Sequence, residues 1–380
     1  MQVWDVIVVG AGPAGCAAAY DLAAGGRSVL LLDKAAFPRS KACAGGLTMK
    51  TVQALRYSIA PVVRKTIDAI MLEPAAPGLA LRVQRPKPVC VMTVRAELDA
   101  YCLAQTRARG AIFRQIGGIA GLREEADRVL VSVPGEGEPL AARLLLGADG
   151  VHSRVRALAG EAPWMRKGFA LEANVPYSAC GRRDFPLTFD FGPVAGGYGW
   201  LFPRDNHVNV GLYVAGANPV SPSGRLDRQR LTAYVAQRCG TSEHDPIVGQ
   251  FLGLGAARYR PASGRILLAG DAAGFVDPLT GEGIFGAIAS GQAAASAMVA
   301  SLTRGVHAGQ VYDGTLGRLR GDLEVAESAA AKFYAHPERG FGLMRLAPVR
   351  RAVLHAYSDG TSLAMLARGI SAARRLLRSA

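Results

Sequence analysis

The segment Gly10-Ala11-Gly12-Pro13-Ala14-Gly15 limits the fold of this chain more than any other. An apolar run with strand character, Asp5 to Gly10, leads into it, and an Ala-rich run with helix character, to about Ala24, leaves it. Ser28 to Asp33 then reads as a second buried strand. Strand, glycine turn, helix and strand in that order open a doubly wound α/β sheet. In that geometry Gly10 permits the tight turn and Gly12 lets backbone approach a pyrophosphate. Gly15 allows close helix–strand packing, and the helix N-terminus turns its free N–H groups toward phosphate. Ala14 sits inside the same turn. Asp33 ends the second strand about 20 residues further on, where a carboxylate can accept hydrogen bonds from a ribose diol; Lys34 follows it. These residues predict a bound dinucleotide.

The rest of the chain fills in around this opening. Arg143 to Gly147 and Arg265 to Gly270 read as further buried strands, and Arg95 to Arg109 as a helix with Leu98, Tyr101, Cys102 and Gln105 on one face. A Gly/Ala-rich helix starts near Gly283. Its stretch Phe285 to Leu302 approaches the length of a membrane span, but its Ala, Ser and Gly content and Gln292 predict a helix buried in protein. Residues 67–92 and 168–259 are of different character, alternating and punctuated by Pro and aromatic residues. The expected division is a discontinuous nucleotide-binding domain (1–66, 93–167, 260–308), an inserted sheet-based substrate domain (67–92, 168–259) and a helical, basic C-terminal region (309–380).

Composition narrows the partners. Forty-four Lys and Arg against 30 Asp and Glu give a net charge of +14, which favours an anionic partner. No zinc-finger spacing, RNP-like strand or dense basic tract points to nucleic acid, so an anionic membrane face or lipid is the expected partner. The six cysteines are scattered without a C-x-x-C pair, and the six histidines show no metal-ligand spacing. Free thiols in a reducing cytoplasm are expected. Nothing in the sequence fixes an oligomeric state.

Two downstream motifs distinguish between dinucleotides. Gly147-Ala148-Asp149-Gly150, with Ser153 and Arg156 behind it, resembles the D-G motif of flavoprotein hydroxylases and reductases. Gly270-Asp271-Ala272-Ala273 resembles their G-D motif, in which the Asp contacts the ribityl chain. Asp277 to Ile284 then resembles the stretch that brings a helix N-terminus, here Gly283-Ile284, to the flavin ring, where its dipole stabilises negative charge on the reduced flavin. The resemblance implies FAD. It also implies that Arg95, at the head of its helix, contacts the phosphate or adenine side of the cofactor.

Two further segments resemble the geranylgeranyl reductase family. Lys41-Ala42-Cys43-Ala44-Gly45-Gly46-Leu47 is similar to its K-x-C-G-x-G segment, with Ala44 where the family usually carries Gly. Gly196-Gly197-Tyr198-Gly199-Trp200-Leu201-Phe202-Pro203 is similar to its Y-x-W-x-F-P segment, with Ala195 in place of the usual preceding proline. The resemblance runs from Asp5 to about Gln292. It implies a Rossmann-type FAD-binding domain with an inserted antiparallel-sheet substrate domain and a helical C-terminus. It also implies a reductase that saturates isolated prenyl double bonds in a lipid, quinone or pigment precursor, and cofactor contacts from Cys43, Ala44 and Gly46.

An unactivated alkene is a poor hydride acceptor, so its saturation needs hydride at one carbon and a proton at the other. Tyr198, Trp200 and Phe202 are the candidate substrate-binding rings. They would line an apolar tunnel and stabilise positive charge at the more substituted carbon by cation–π attraction. Cys43 is the candidate catalytic residue, as part of the proton path or as a wall of the pocket. A second glycine fingerprint is absent, so NAD(P)H or another electron donor would dock transiently. From Arg339 to Ala380 there are eight arginines and one acid, Asp359; the stretches Phe341 to Tyr357 and Ser362 to Leu377 read equally as basic amphipathic helices on an anionic bilayer or as a solvated helical cap. A cytoplasmic protein, peripheral on the inner membrane face, follows from the first reading. A flavin monooxygenase acting on an aromatic or phenolic lipid shares the D-G and G-D motifs. A halogenase would carry W-x-W-x-I-P in place of Y-x-W-x-F-P, and a flavin-binding scaffold would need no tunnel.

Overall fold

The strand Val3–Val9 lies at the centre of the first sheet, with Val29–Asp33 on one side and Leu140–Gly147 on the other, all parallel. Ile112–Gln115 extends the parallel set beyond Val29–Asp33. The far edge of Leu140–Gly147 is shared. Its C-terminal half pairs in parallel with Ile266–Leu268, and its N-terminal half pairs antiparallel with Val129–Ser132, which continues to Gly121–Glu124. This computed structural model describes residues 2–74, 80–160, 165–216, 226–261 and 264–365. Apart from Asp5, Asp33 and Arg143, the central strands are apolar because both faces are covered, as a parallel sheet requires. Helices Pro13–Ala24 and Ile284–Arg304 pack against one another on one face, where Gly291 lets the Ala14 carbonyl come close. The second of these is long and apolar enough to span a membrane by composition, yet most of it is buried in the core, as its small residues predicted.

The second sheet has seven strands in the order Val248–Leu254, Arg166–Pro176, His207–Val214, Gly197–Pro203, Leu187–Asp190, Ala69–Glu73 and Leu81–Gln84. It is antiparallel except for the Leu187–Asp190 and Ala69–Glu73 pair, which runs parallel. Its two faces bury different sets. Leu201, Val210 and Leu212 pack on one side against helix Arg228–Cys239, and Tyr198, Trp200, Phe202 and Tyr213 form an aromatic layer on the other. A small sheet of Gly46–Thr48, Cys90–Thr93 and Val63–Ile67 joins the two large ones. Helices Gly317–Ala335, Pro337–Met344 and Ala347–Asp359 close over the aromatic layer through Tyr334, Leu354 and Tyr357. The Ser362 to Leu377 stretch lies mostly outside the described residues.

Candidate active site

Three turns converge at the C-terminal ends of the parallel strands. At the first, Gly10 has φ +103°, and a Cβ there would stand 2.3 Å from the Ala148 carbonyl oxygen; a Cβ on Gly15 would stand 1.7 Å from the Gly10 oxygen. These two glycines are therefore obligatory. Helix Pro13–Ala24 starts with Gly12 as its N-cap, and no N-cap side chain covers its first N–H groups. Asp33 spends its carboxylate on the neighbouring backbone. Oδ2 accepts the Ala11 N–H at 2.7 Å and Oδ1 the Ala35 N–H at 2.8 Å, which fixes the turn. Lys34 is exposed beyond it.

The second turn is organised by Asp149, which accepts from Ser153 Oγ at 2.5 Å, Arg154 N at 2.6 Å and Val155 N at 3.1 Å. Its carboxylate thus holds the head of helix Arg154–Leu158. The buried Arg156 crosses to the third turn, donating to the Val151 oxygen and to the Ala272 oxygen, each at 2.7 Å. Gly270 of that turn packs against Ala14, so all three turns touch.

Beyond them lies a cavity of about 170 Å³ whose walls include Lys41, Cys43, Arg95, Glu172, Asp271 and Gly283. Burial pushes the Asp271 carboxyl above its ordinary value, opposed by Lys41 and Arg95. Burial, aided by Arg95, pulls the Lys41 ammonium down. Arg95 is bidentate to the buried Asp99 (2.9 and 2.8 Å), which Arg39 also approaches at 3.3 Å.

The Cys43 segment is held by two buried ionisable side chains, Glu172 of the second sheet and Arg204 just past its strand Gly197–Pro203. Glu172 Oε1 accepts the Cys43 N–H at 2.7 Å, and Arg204 donates to the Ala44 oxygen at 2.8 Å and the Thr93 oxygen at 3.0 Å. Gly45 is the position that needs glycine, at φ +71° with a would-be Cβ 2.1 Å from the Thr93 oxygen, while Gly46 lies against the Phe202 ring. Burial raises the Glu172 carboxyl above the usual range. Sequence reasoning missed Glu172 and Arg204. The signal for the first was a lone acid in the largely apolar strand F-A-L-E-A-N-V-P.

Tyr198, Trp200 and Phe202 share one face of their strand, as alternation predicted, and all three line the cavity with Phe189. Their polar atoms are committed elsewhere. Trp200 Nε1 donates to Asn209 Oδ1 at 2.7 Å, and Tyr198 donates to the Thr280 oxygen. Tyr213 and Tyr334 donate to the neighbouring Pro278 and Leu279 oxygens at 3.1 and 2.5 Å. Three phenols thereby clamp the loop that leads to Gly283 and Ile284 at the head of the long helix. Glu282 takes the Phe285 N–H at 2.6 Å, so part of that helix N-terminus is already occupied by a carboxylate.

A second cavity, of about 840 Å³, adjoins the first. Phe189, Tyr198, Thr280 and Tyr357 line both. Its remaining walls are largely apolar and come from the edge of the second sheet and the C-terminal helices, with Lys332, His336, Arg339 and Arg350 among them. Its size falls within the range of small-molecule pockets, about 300–1,000 Å³.

The FAD binding domain family matches residues 3–310 of this chain. The menaquinone reductase of Mycolicibacterium smegmatis is 32% identical over 315 residues, covering 77% of this chain and 76% of that protein. Digeranylgeranylglycerophospholipid reductase 1 of Methanothermobacter thermautotrophicus is 30% identical over 317 residues, covering 79% and 78%. The chain belongs to the geranylgeranyl reductase-like family of FAD-dependent oxidoreductases. A geranylgeranyl bacteriochlorophyll reductase-like protein from Thermoplasma acidophilum shares the fold of this family member, with a TM-score of 0.76 over 88% of each chain at 21% identity.

The residues of this geranylgeranyl reductase-like chain fit the flavin dinucleotide. Gly10 and Gly12 leave a cradle before an uncapped helix, and Arg39 reaches within 3.5 Å of where a Gly12 Cβ would be. Arg39 Nε is buried with no hydrogen-bond partner among the described residues, as expected of a cation that awaits phosphate oxygens. Arg39 would face the pyrophosphate, Asp33 the ribose, and Asp271 with Gly283 the ribityl and ring end.

Proposed function

We propose that this protein reduces isolated double bonds in the prenyl chain of a lipid, quinone or pigment precursor. One observation carries the reading: the large apolar cavity shares the wall residues Phe189, Tyr198, Thr280 and Tyr357 with the cavity that Cys43 and Asp271 line. A hydroxylase of an aromatic or phenolic lipid could use the same apolar space, and the nature of the product separates the two readings. The two named relatives point to the same substrate class, since one is called a menaquinone reductase and the other a digeranylgeranylglycerophospholipid reductase.

The bound flavin supplies hydride when reduced. The chain's own residues do the rest. Tyr198, Trp200 and Phe202 present ring faces that exclude water and stabilise positive charge on the alkene carbon. Their polar atoms are tied to backbone and to Asn209, so the proton must come from elsewhere. Glu172, raised by burial, keeps its proton to higher pH than a solvated glutamate, and Cys43 stands next to it at the cavity wall. The pair forms the proposed proton path. The electron donor, NAD(P)H or a protein carrier, docks transiently from outside.

Dithionite-reduced enzyme, mixed anaerobically with a panel of prenyl lipids, is expected to return to the oxidised flavin spectrum and to yield product heavier by two hydrogens per bond. A panel with no reoxidation, or substrate-dependent oxygen consumption with an oxygenated product, would refute the reading and favour hydroxylation.

A further inference from the structure

The C-terminal helices carry an elbow that the reduction chemistry leaves unexplained. Helix Pro337–Met344 turns through Arg345 and Leu346 into helix Ala347–Asp359. Leu343 and Leu346 are 58% and 55% exposed there, and Val353 is 39% exposed on the following helix. With Met365, these make up half of the exposed large hydrophobic residues among those described, gathered in one short stretch. Leu346, Arg350 and Val353 follow one another at helical spacing, so they share a face. Scattered single hydrophobics need no explanation, but a cluster of this kind does.

The same stretch is cationic. Arg345 and Arg351 are exposed beside the leucines, and Arg339 and Arg350 stand at the wall of the large cavity. Among the described residues no carboxylate forms a salt bridge with any of the four; Glu338 approaches His336, and Asp359 is taken by Arg85 and His355. Exposed leucines beside arginines that have no carboxylate partner among the described residues match a surface that is apolar within and anionic outside. The elbow also lines the cavity: Leu343, Met344, Val349 and Val353 are wall residues. A surface seated on the elbow therefore lies against wall residues of the large cavity.

We infer that the Leu343–Leu346 elbow docks this protein on an anionic lipid bilayer, with the large cavity open toward the lipid, so that a lipid-dissolved chain passes inward without crossing water. The docking stands on the elbow alone; the passage of a prenyl chain rests on the proposed reductase activity.

The test uses the full chain and separates the two. In vesicle flotation the protein is expected to float with phosphatidylcholine vesicles containing phosphatidylglycerol, to stay behind with pure phosphatidylcholine, and to be released by high salt. The triple variant Leu346→Ser/Arg345→Glu/Arg351→Glu changes exposed residues that line neither cavity. It is expected to lose at least tenfold in the floated fraction, while reoxidising reduced flavin with a detergent-dispersed prenyl substrate at the wild-type rate. Equal flotation of wild type and variant, or equal flotation on neutral vesicles, overturns the docking. Sedimentation that shows a dimer lost in the same variant assigns the elbow to a second copy of the chain and also overturns it. Flotation as expected with no substrate-driven reoxidation leaves the docking and refutes the reductase reading.

Discussion

Glu172 accepts the backbone N–H of Cys43 at 2.7 Å, so a carboxylate from the second sheet sets the position of a thiol carried by the first domain's loop. Replacement by Gln keeps an acceptor for that part-buried N–H, whereas Ala removes it, at a cost of about 1 kcal/mol. Glu172→Ala is expected to lower the urea midpoint measurably, and Glu172→Gln to leave it close to wild type. Both are expected to slow substrate-driven flavin reoxidation at least tenfold, because neither holds a proton there. A Gln variant with wild-type turnover would remove Glu172 from the proton path and leave it a positioning residue.

Arg156 joins the second and third turns through the Val151 and Ala272 carbonyls. A hydrogen bond involving a charged group is worth about 1.5–3 kcal/mol, and about 1.4 kcal/mol is a factor of ten in affinity. Arg156→Ala is therefore expected to weaken FAD binding by tenfold or more, read by fluorescence titration of the apoprotein. Arg156→Lys reaches one carbonyl and should fall between.

His207 is held neutral. Arg204 Nη1 sits 2.7 Å from its Nε2, so that nitrogen must accept, and burial, helped by this neighbouring cation, lowers its pKa to about 4. The unfolded chain takes up a proton near pH 6.5 and the folded one does so only near 4. The associated stability is complete above pH 6.5 and drains away as pH falls toward 4. Melting temperature is expected to drop over that interval in the wild type and to do so less in His207→Gln, which still offers an acceptor to Arg204. Parallel pH profiles for the two proteins would contradict this.

The large cavity discriminates by length if it holds a prenyl chain. Leu72 lies in its wall, and Leu72→Trp fills part of it. The KM for a long prenyl substrate should rise on the order of tenfold against that for a short one, with flavin affinity unchanged. An equal effect on both lengths would place the chain elsewhere.

Much of the nucleotide end was legible because it depends on backbone geometry. Gly10, Gly15, Gly270 and the strand ends around them occur in a fixed local order, and no other residue type suits the close approaches they make. The alternation that put Tyr198, Trp200 and Phe202 on one face was legible for the same reason. What the sequence concealed arises from pairings distant along the chain. Glu172 meets Cys43 across 129 positions, and Tyr334 reaches Leu279 from a helix that carries no family motif. The sequence also could not show that Asp33 and Asp149 bond to their own turns, which follows only from the folded positions of the Ala11, Arg154 and Val155 N–H groups.

The match to the FAD binding domain family ends at residue 310, but the large cavity draws one of its two sides from helices beyond that point. The bore of the passage can thus drift in evolution by exchanges at Phe333, Phe341 or Leu354 that leave every residue of the three nucleotide turns in place. If the proposed prenyl substrate lies there, a lineage of such proteins can be retuned from one chain length to another at these helices while the nucleotide end is inherited unchanged.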